Sequence, residues 1–73
     1  MIYLYDLIDK IDNRKTAIVV DNMHDAIMIE PEGSKDVILK HFDNCQVDSI
    51  VIAYSVVNCW PHTHIYVSGE YKE

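Results

Sequence analysis

Glycine and proline are scarce in this chain, with two of each in 73 residues, and neither clusters. That scarcity excludes flexible linkers, and the isolated glycines exclude a phosphate-cradling loop. Internal repeats and low-complexity tracts are absent. So is any apolar run near the roughly 18 residues that span a bilayer. The opening Met1-Ile2-Tyr3-Leu4-Tyr5-Asp6 lacks the basic region, apolar stretch and small-residue cleavage site of a secretory signal. A soluble protein of the cytoplasm is the expectation, with no membrane partner. There the two cysteines serve as thiols or metal ligands, and a Cys45–Cys59 bridge requires an oxidising compartment instead.

Positive charge is the other shortage. Six basic residues face twelve acidic ones, for a formal net charge of −6. Such a field repels phosphate backbones, and Lys10, Arg14, Lys15, Lys35 and Lys40 are scattered among acids. Direct nucleic-acid binding is therefore not expected. A protein partner with a basic surface is, although an acidic surface also serves solubility alone.

What is present is a core: 49% of the residues are hydrophobic, which argues for one folded domain over residues 1–73. Chains of this size bury only about 60% of the surface they expose when unfolded, so the core must be dense. Leu4, Leu7, Ile8 and Ile11 recur at helical spacing and predict a helix over 3–12. Thr16–Val20 and Ala26–Glu30 are short apolar runs split by the polar Asp21–Asp25, the pattern of a β-hairpin. Pro31-Glu32-Gly33 breaks the second strand. Ser34 is placed to cap a helix from Lys35 to Phe42 or Asp43, with Val37, Ile38 and Phe42 on its buried side. Val47–Val57 alternates as a long strand, with Ile50, Ile52, Tyr54 and Val56 on one face and Val51, Ala53, Ser55 and Val57 on the other. Residues 58–62 form the tip and 63–68 the returning strand.

The order is αββαββ, and the expected class is α+β: a four-stranded, mostly antiparallel sheet with two helices packed on one face. The other face then lies open, and Val51, Ala53, Val57 and the tyrosines make it a docking or homodimer surface.

The pattern in Leu4-Tyr5-Asp6-Leu7-Ile8-Asp9, Ala17-Ile18-Val19-Val20-Asp21, Lys35-Asp36-Val37-Ile38-Leu39 and Val47-Asp48-Ser49-Ile50 resembles small acidic proteins of Firmicutes phages and prophages. The resemblance is one of hydrophobic spacing, covers nearly the whole chain, and implies a helix–hairpin–helix–hairpin plan with no catalytic residues. It also implies that the chain is phage- or mobile-element-encoded and acts in the host cytoplasm. In size, charge and compactness the chain is similar to anti-CRISPR and other anti-defence inhibitors, some of which bind a host nuclease. The Cys59-Trp60-Pro61-His62-Thr63-His64 tip departs from the polar, glycine-rich turn of the group.

That tip holds the densest chemistry. Zinc takes about four nitrogen or sulfur ligands, and Cys59, His62 and His64 with His41 and Cys45 would supply a set if the two groups fold together. The paired Cys-x2-Cys spacing is missing, and otherwise no cofactor is expected. A nucleophilic Cys59 would need a third group to hold its histidine base, and the sequence shows none. Trp60, at a turn, either packs onto its own sheet or anchors a contact, since a rigid ring buries much area at low entropic cost. Pro61, His62, Tyr54 and Tyr66 would join it, the tyrosines also forming a cross-strand pair. Asp6, Asp9 and Asp12, spaced by three, would form an acidic ridge. The reading is a non-enzymatic protein-binding module, its most specific form an inhibitor of a host defence nuclease. Its alternatives are a small zinc domain and a homodimer through the open sheet face.

Overall fold

Both hairpins expected from the sequence form, and between them runs a pairing that no local pattern announces. The computed structural model describes residues 1–54 and 61–73, with the backbone alone for Ala53 and Tyr54. Its elements are α1 (Leu4–Ile8), β1 (Ala17–Asp21), β2 (Ala26–Ile29), α2 (Asp36–His41), β3 (Gln46–Tyr54) and β4 (Pro61–Ser68). The four strands lie in the order β2-β1-β4-β3. β1 pairs antiparallel with β2, and β3 with β4, as hairpins do. The central pair is parallel, setting Ala17 beside His62 and Asp21 beside Tyr66. The fold is therefore α+β, with a mostly antiparallel sheet.

Alternation along the two central strands sorts the sheet into an inside and an outside. Ile18 and Val20 of β1 and Ile65 and Val67 of β4 are buried on one side, with Ile29 of β2. Leu4 and Ile8 of α1 and Ile38 and Phe42, from α2 and its end, complete one cluster with them. Both helices thus cover the same face. They are too short to persist alone, since isolated helices below about 12–15 residues are marginal in water. Docking holds them. Each fully buried Leu, Ile or Phe contributes about 1.5–3 kcal/mol relative to exposure.

α1 stops well before the predicted Asp12. Its last turn tightens as Lys10 N–H donates to the Leu7 carbonyl (3.0 Å) and Ile11 N–H to that of Ile8 (3.3 Å). Asn13 is then recruited elsewhere: its carbonyl accepts from Glu32 N–H at 2.8 Å and its amide donates to Gly33 O at 2.9 Å. At the front of α1, Leu4 N–H donates to Cys45 O at 2.9 Å, satisfying one of the orphaned donors. Ser34 does not cap α2. Lys35 holds the cap position, without a side-chain cap bond, and its ammonium reaches the Ile11 carbonyl instead. Val37, expected inside, is 46% exposed.

The terminal residues expected as a charged tail form a strap on α2. Tyr71 stacks on His41 at 4.8 Å and meets Phe42 edge-on at 5.3 Å. Lys72 N–H donates to the His41 carbonyl at 2.8 Å, and its ammonium lies 2.9 Å from Asp43. The strap begins at Gly69, which has φ +148°, and a Cβ there would sit 2.5 Å from Cys45 Sγ. Both the dihedral and the space demand glycine. Gly69→Ala should therefore destabilise the fold by about 1–3 kcal/mol in urea denaturation. In a Cys45→Ala background the same change should cost less, because the overlap with Sγ is removed while the tight approach to Cβ and Cα, at 3.1 and 3.2 Å, and the backbone strain remain. Equal costs in the two backgrounds would refute the contact.

Candidate functional site

Opposite the helices, the sheet carries a row of rings. Because Ile65 and Val67 face the core, His62, His64, Tyr66 and Ser68 of β4 fall on the bare face. His62 and His64 point the same way, as expected of positions two apart, with centroids 6.4 Å apart. Tyr66 continues the row, stacked on His64 at 4.3 Å and 16°. All three are half-buried by one another and by their neighbours. Register supplies those neighbours: Val19 and Asp21 from β1, Val51 and Ser49 from β3, and, one strand further, Met28 from β2. Val51 is 47% exposed and Met28 52%. An aromatic and imidazole row thus lies between apolar flanks on a helix-free surface.

Asp21 is the residue the sequence did not single out. It ends β1, and the parallel pairing carries it to His64, whose Nε2 lies 3.2 Å from Asp21 Oδ2. The other oxygen accepts the Met23 N–H at 2.7 Å, pinning a turn in which Met23 has φ +76°. Those bonds, the backbone one foremost, hold the Asp21 carboxyl below its ordinary range. No sequence pattern could have paired residues 21 and 64, since nothing local fixes which strand sits beside β4.

Among the described residues, those proposed as metal ligands do not converge. Cys45 lies just before Gln46, which pairs with Ser68, whereas His62 pairs with Ala53 at the far end of β4. At about 3.3 Å per residue, the two groups stand roughly 20 Å apart along the sheet. His41 is occupied by the strap, its Nδ1 at the Lys72 carbonyl. Cys45 is buried beneath Gly69, and burial, with Asp43 nearby, pushes its thiol pKa up, away from a reactive thiolate. Among the described residues no group of three or more His, Cys, Asp or Glu could hold a metal ion. Cys59 and Trp60 lie outside the described residues.

Other expected contacts divide. Pro61 and His62, assigned to the tip, belong to β4. Tyr54 and Tyr66 do not pair: Tyr54 opposes Pro61, and Tyr66 opposes Ser49. The difference is five residues of register: β4 begins already at Pro61, opposite Tyr54, so Tyr66 reaches only Ser49. Asp6 and Asp9 are exposed, but no continuous acidic ridge forms, because α1 ends at Ile8. Asp12 turns to Arg14 instead, at 2.7 Å, and that guanidinium lowers its pKa to about 2.

Asp21 makes a pH prediction. A carboxyl whose pKa is depressed by folding stabilises the fold fully above its unfolded value, near pH 4, and loses that contribution as pH falls through the folded value. Asp12 and Asp43, lowered by Arg14 and Lys72, act with the same sign. Urea midpoints should therefore fall as pH drops from about 4 toward 2, and less steeply for Asp21→Asn. An identical acid slope in that variant would remove Asp21 from the account.

No protein-family model matches the chain, and no significant match to it was found among curated proteins or among solved structures.

Proposed function

We propose that this chain is a non-enzymatic protein-interaction module that docks its partner on the helix-free sheet face around His62, His64 and Tyr66. The observation that supports this most is the row itself, in which Tyr66 stacks on His64 and His62 follows at a tilt, set on the bare side of the sheet between exposed Val51 and Met28. Tyrosine and histidine rings held in line offer large, rigid, amphipathic area with little entropy left to lose on binding. The row lies along a strand, which gives a contact surface and not the enclosed space that small-molecule chemistry uses.

Charge favours the kind of partner. With a net charge of −6, encounter is steered toward a basic surface, which mainly raises the association rate. A surface that normally receives nucleic acid, such as a nuclease presents, has that chemistry. An inhibitor of a host defence nuclease is accordingly the specific form of this reading.

Affinity purification with the wild type, Tyr66→Ala and Lys40→Ala tests it. Lys40 is exposed on α2, on the other side of the sheet, and serves as the control. Tyr66→Ala should weaken capture of a specific, salt-releasable partner about tenfold or more, as loss of an interface anchor does. Lys40→Ala should leave it unchanged, and circular dichroism should show both variants folded. Equal capture by Tyr66→Ala and the wild type would sink the proposal.

A further inference from the structure

Among the described residues, the outer edge of β3 is covered only at one end. There the chain adds its own N-terminal segment as a short strand: Tyr3 bridges Gln46 in antiparallel sense, and Val47 N–H donates to the Ile2 carbonyl at 2.8 Å. Beyond Val47 the register shifts at Asp48, whose carboxylate accepts the Ser68 hydroxyl at 2.6 Å. From Ser49 to Tyr54, no strand among the described residues pairs with this edge. β3 joins β4 on one side only, so alternate N–H and C=O groups point outward along that stretch.

The exposed stretch is also apolar. Ile50, Val51 and Ile52 are 45%, 47% and 79% exposed, in succession, on an edge strand. Natural edges are usually blunted by lysine, proline or brevity. This one has a bulge at its start and then Ser49-Ile50-Val51-Ile52-Ala53-Tyr54, with no charge. Ile50 and Ile52 share the side of the helices, opposite Ile65 and Thr63, yet stay exposed.

We propose that this edge pairs with the same edge of a second copy of the chain, β3 against β3 in antiparallel sense, with the two-fold axis at Val51. The stretch Ser49-Ile50-Val51-Ile52-Ala53 reads nearly the same in both directions by side-chain size, which is what an isologous contact requires. Centred on Val51, the register opposes Ile50 to Ile52, Ser49 to Ala53 and Val51 to itself. It sets Asp48 against the neutral Tyr54, so no acidic residue faces another across the seam. Each pair keeps to one face, so four isoleucines gather on the helix side and the two bare faces join into one eight-stranded surface. A partner strand carrying charge would leave that charge over the isoleucines, which is why a second copy is the occupant. The inference is independent of the face-binding reading.

Three measurements test it together. Light scattering up to several hundred micromolar should show the wild type as a dimer. Ile52→Lys should be monomeric with an unchanged circular dichroism spectrum, since that side chain is mostly solvated in the single chain. In a Cys59→Ser background, Val51→Cys should form a symmetric intermolecular disulfide. Antiparallel partners stand about 4.5–5.5 Å apart between Cα atoms, within the disulfide range. Met28→Cys, on the far strand, should not, and Tyr66→Ala should leave the dimer intact. A wild type that stays monomeric, a dimer that survives Ile52→Lys, or a dimer that fails to link at position 51 overturns the proposal.

Discussion

The parallel seam between β1 and β4 is the constraint on which the rest of the molecule depends. A two-stranded hairpin is marginal by itself in water, and this chain is built from two of them. The seam joins them, and the residues it brings together, Ile18, Val20, Ile65 and Val67, form the floor against which both helices pack. It also assigns the other positions in the sheet. With β1 and β4 at the centre, β2 and β3 become the edges. The strands that close the core are then the inner ones of each hairpin, and the outer ones are left partly wet.

Smallness shapes what remains outside. Helices of five and six residues reach over the middle of the sheet but not over the whole of β3, whose Ile50 and Ile52 overhang. The same economy leaves the second face without a helix among the described residues. The chain answers in part by packing polar rings on themselves: His64 lies between His62 and Tyr66 and is held by Asp21. A half-buried row of polar rings, with His64 Nε2 held by Asp21, offers area that a bare valine surface would offer only at greater risk of aggregation.

Legibility followed sequence distance. The β1–β2 hairpin was readable because both runs and the Asp21–Asp25 turn are local, and turn chemistry follows from residue type: Asn22 Oδ1 accepts from His24 and Asp25 N–H. The core positions Leu4, Ile8, Ile38 and Phe42 were readable from helical spacing. The ends of the helices were not, because Asn13 and Lys35 are claimed by partners twenty or more residues away. Tyr54 and Tyr66 could not be placed, since the register depends on where β4 begins, and it begins at Pro61, five residues from the pairing that would join them. In the candidate site, the common direction of His62 and His64 followed from strand alternation. Asp21 was invisible there, for it arrives through the parallel seam.

An aromatic row on the bare face of a helix-backed sheet is also a geometry on which nucleobases stack, so charge must decide between the two occupants. Stacking contributes about 1–3 kcal/mol per base, but single-strand binding also needs cations along the path of the phosphates. By register the described strand residues of this face are Ala17, Val19, Asp21, Ala26, Met28, Gln46, Ser49, Val51, Ala53, His62, His64, Tyr66 and Ser68, with no lysine or arginine among them. Asp21 sits within the row itself, and the chain as a whole is at −6. Screening at physiological salt, about 8 Å, does not hide a carboxylate that is 3.2 Å from the stacked ring. A phosphate backbone laid here would meet a fixed charge of the wrong sign, whereas a lysine or arginine of a protein partner would meet it favourably. The rings supply area and Asp21 supplies the sign, and on the proposed reading that combination selects a basic protein surface over the nucleic acid such a surface would itself bind.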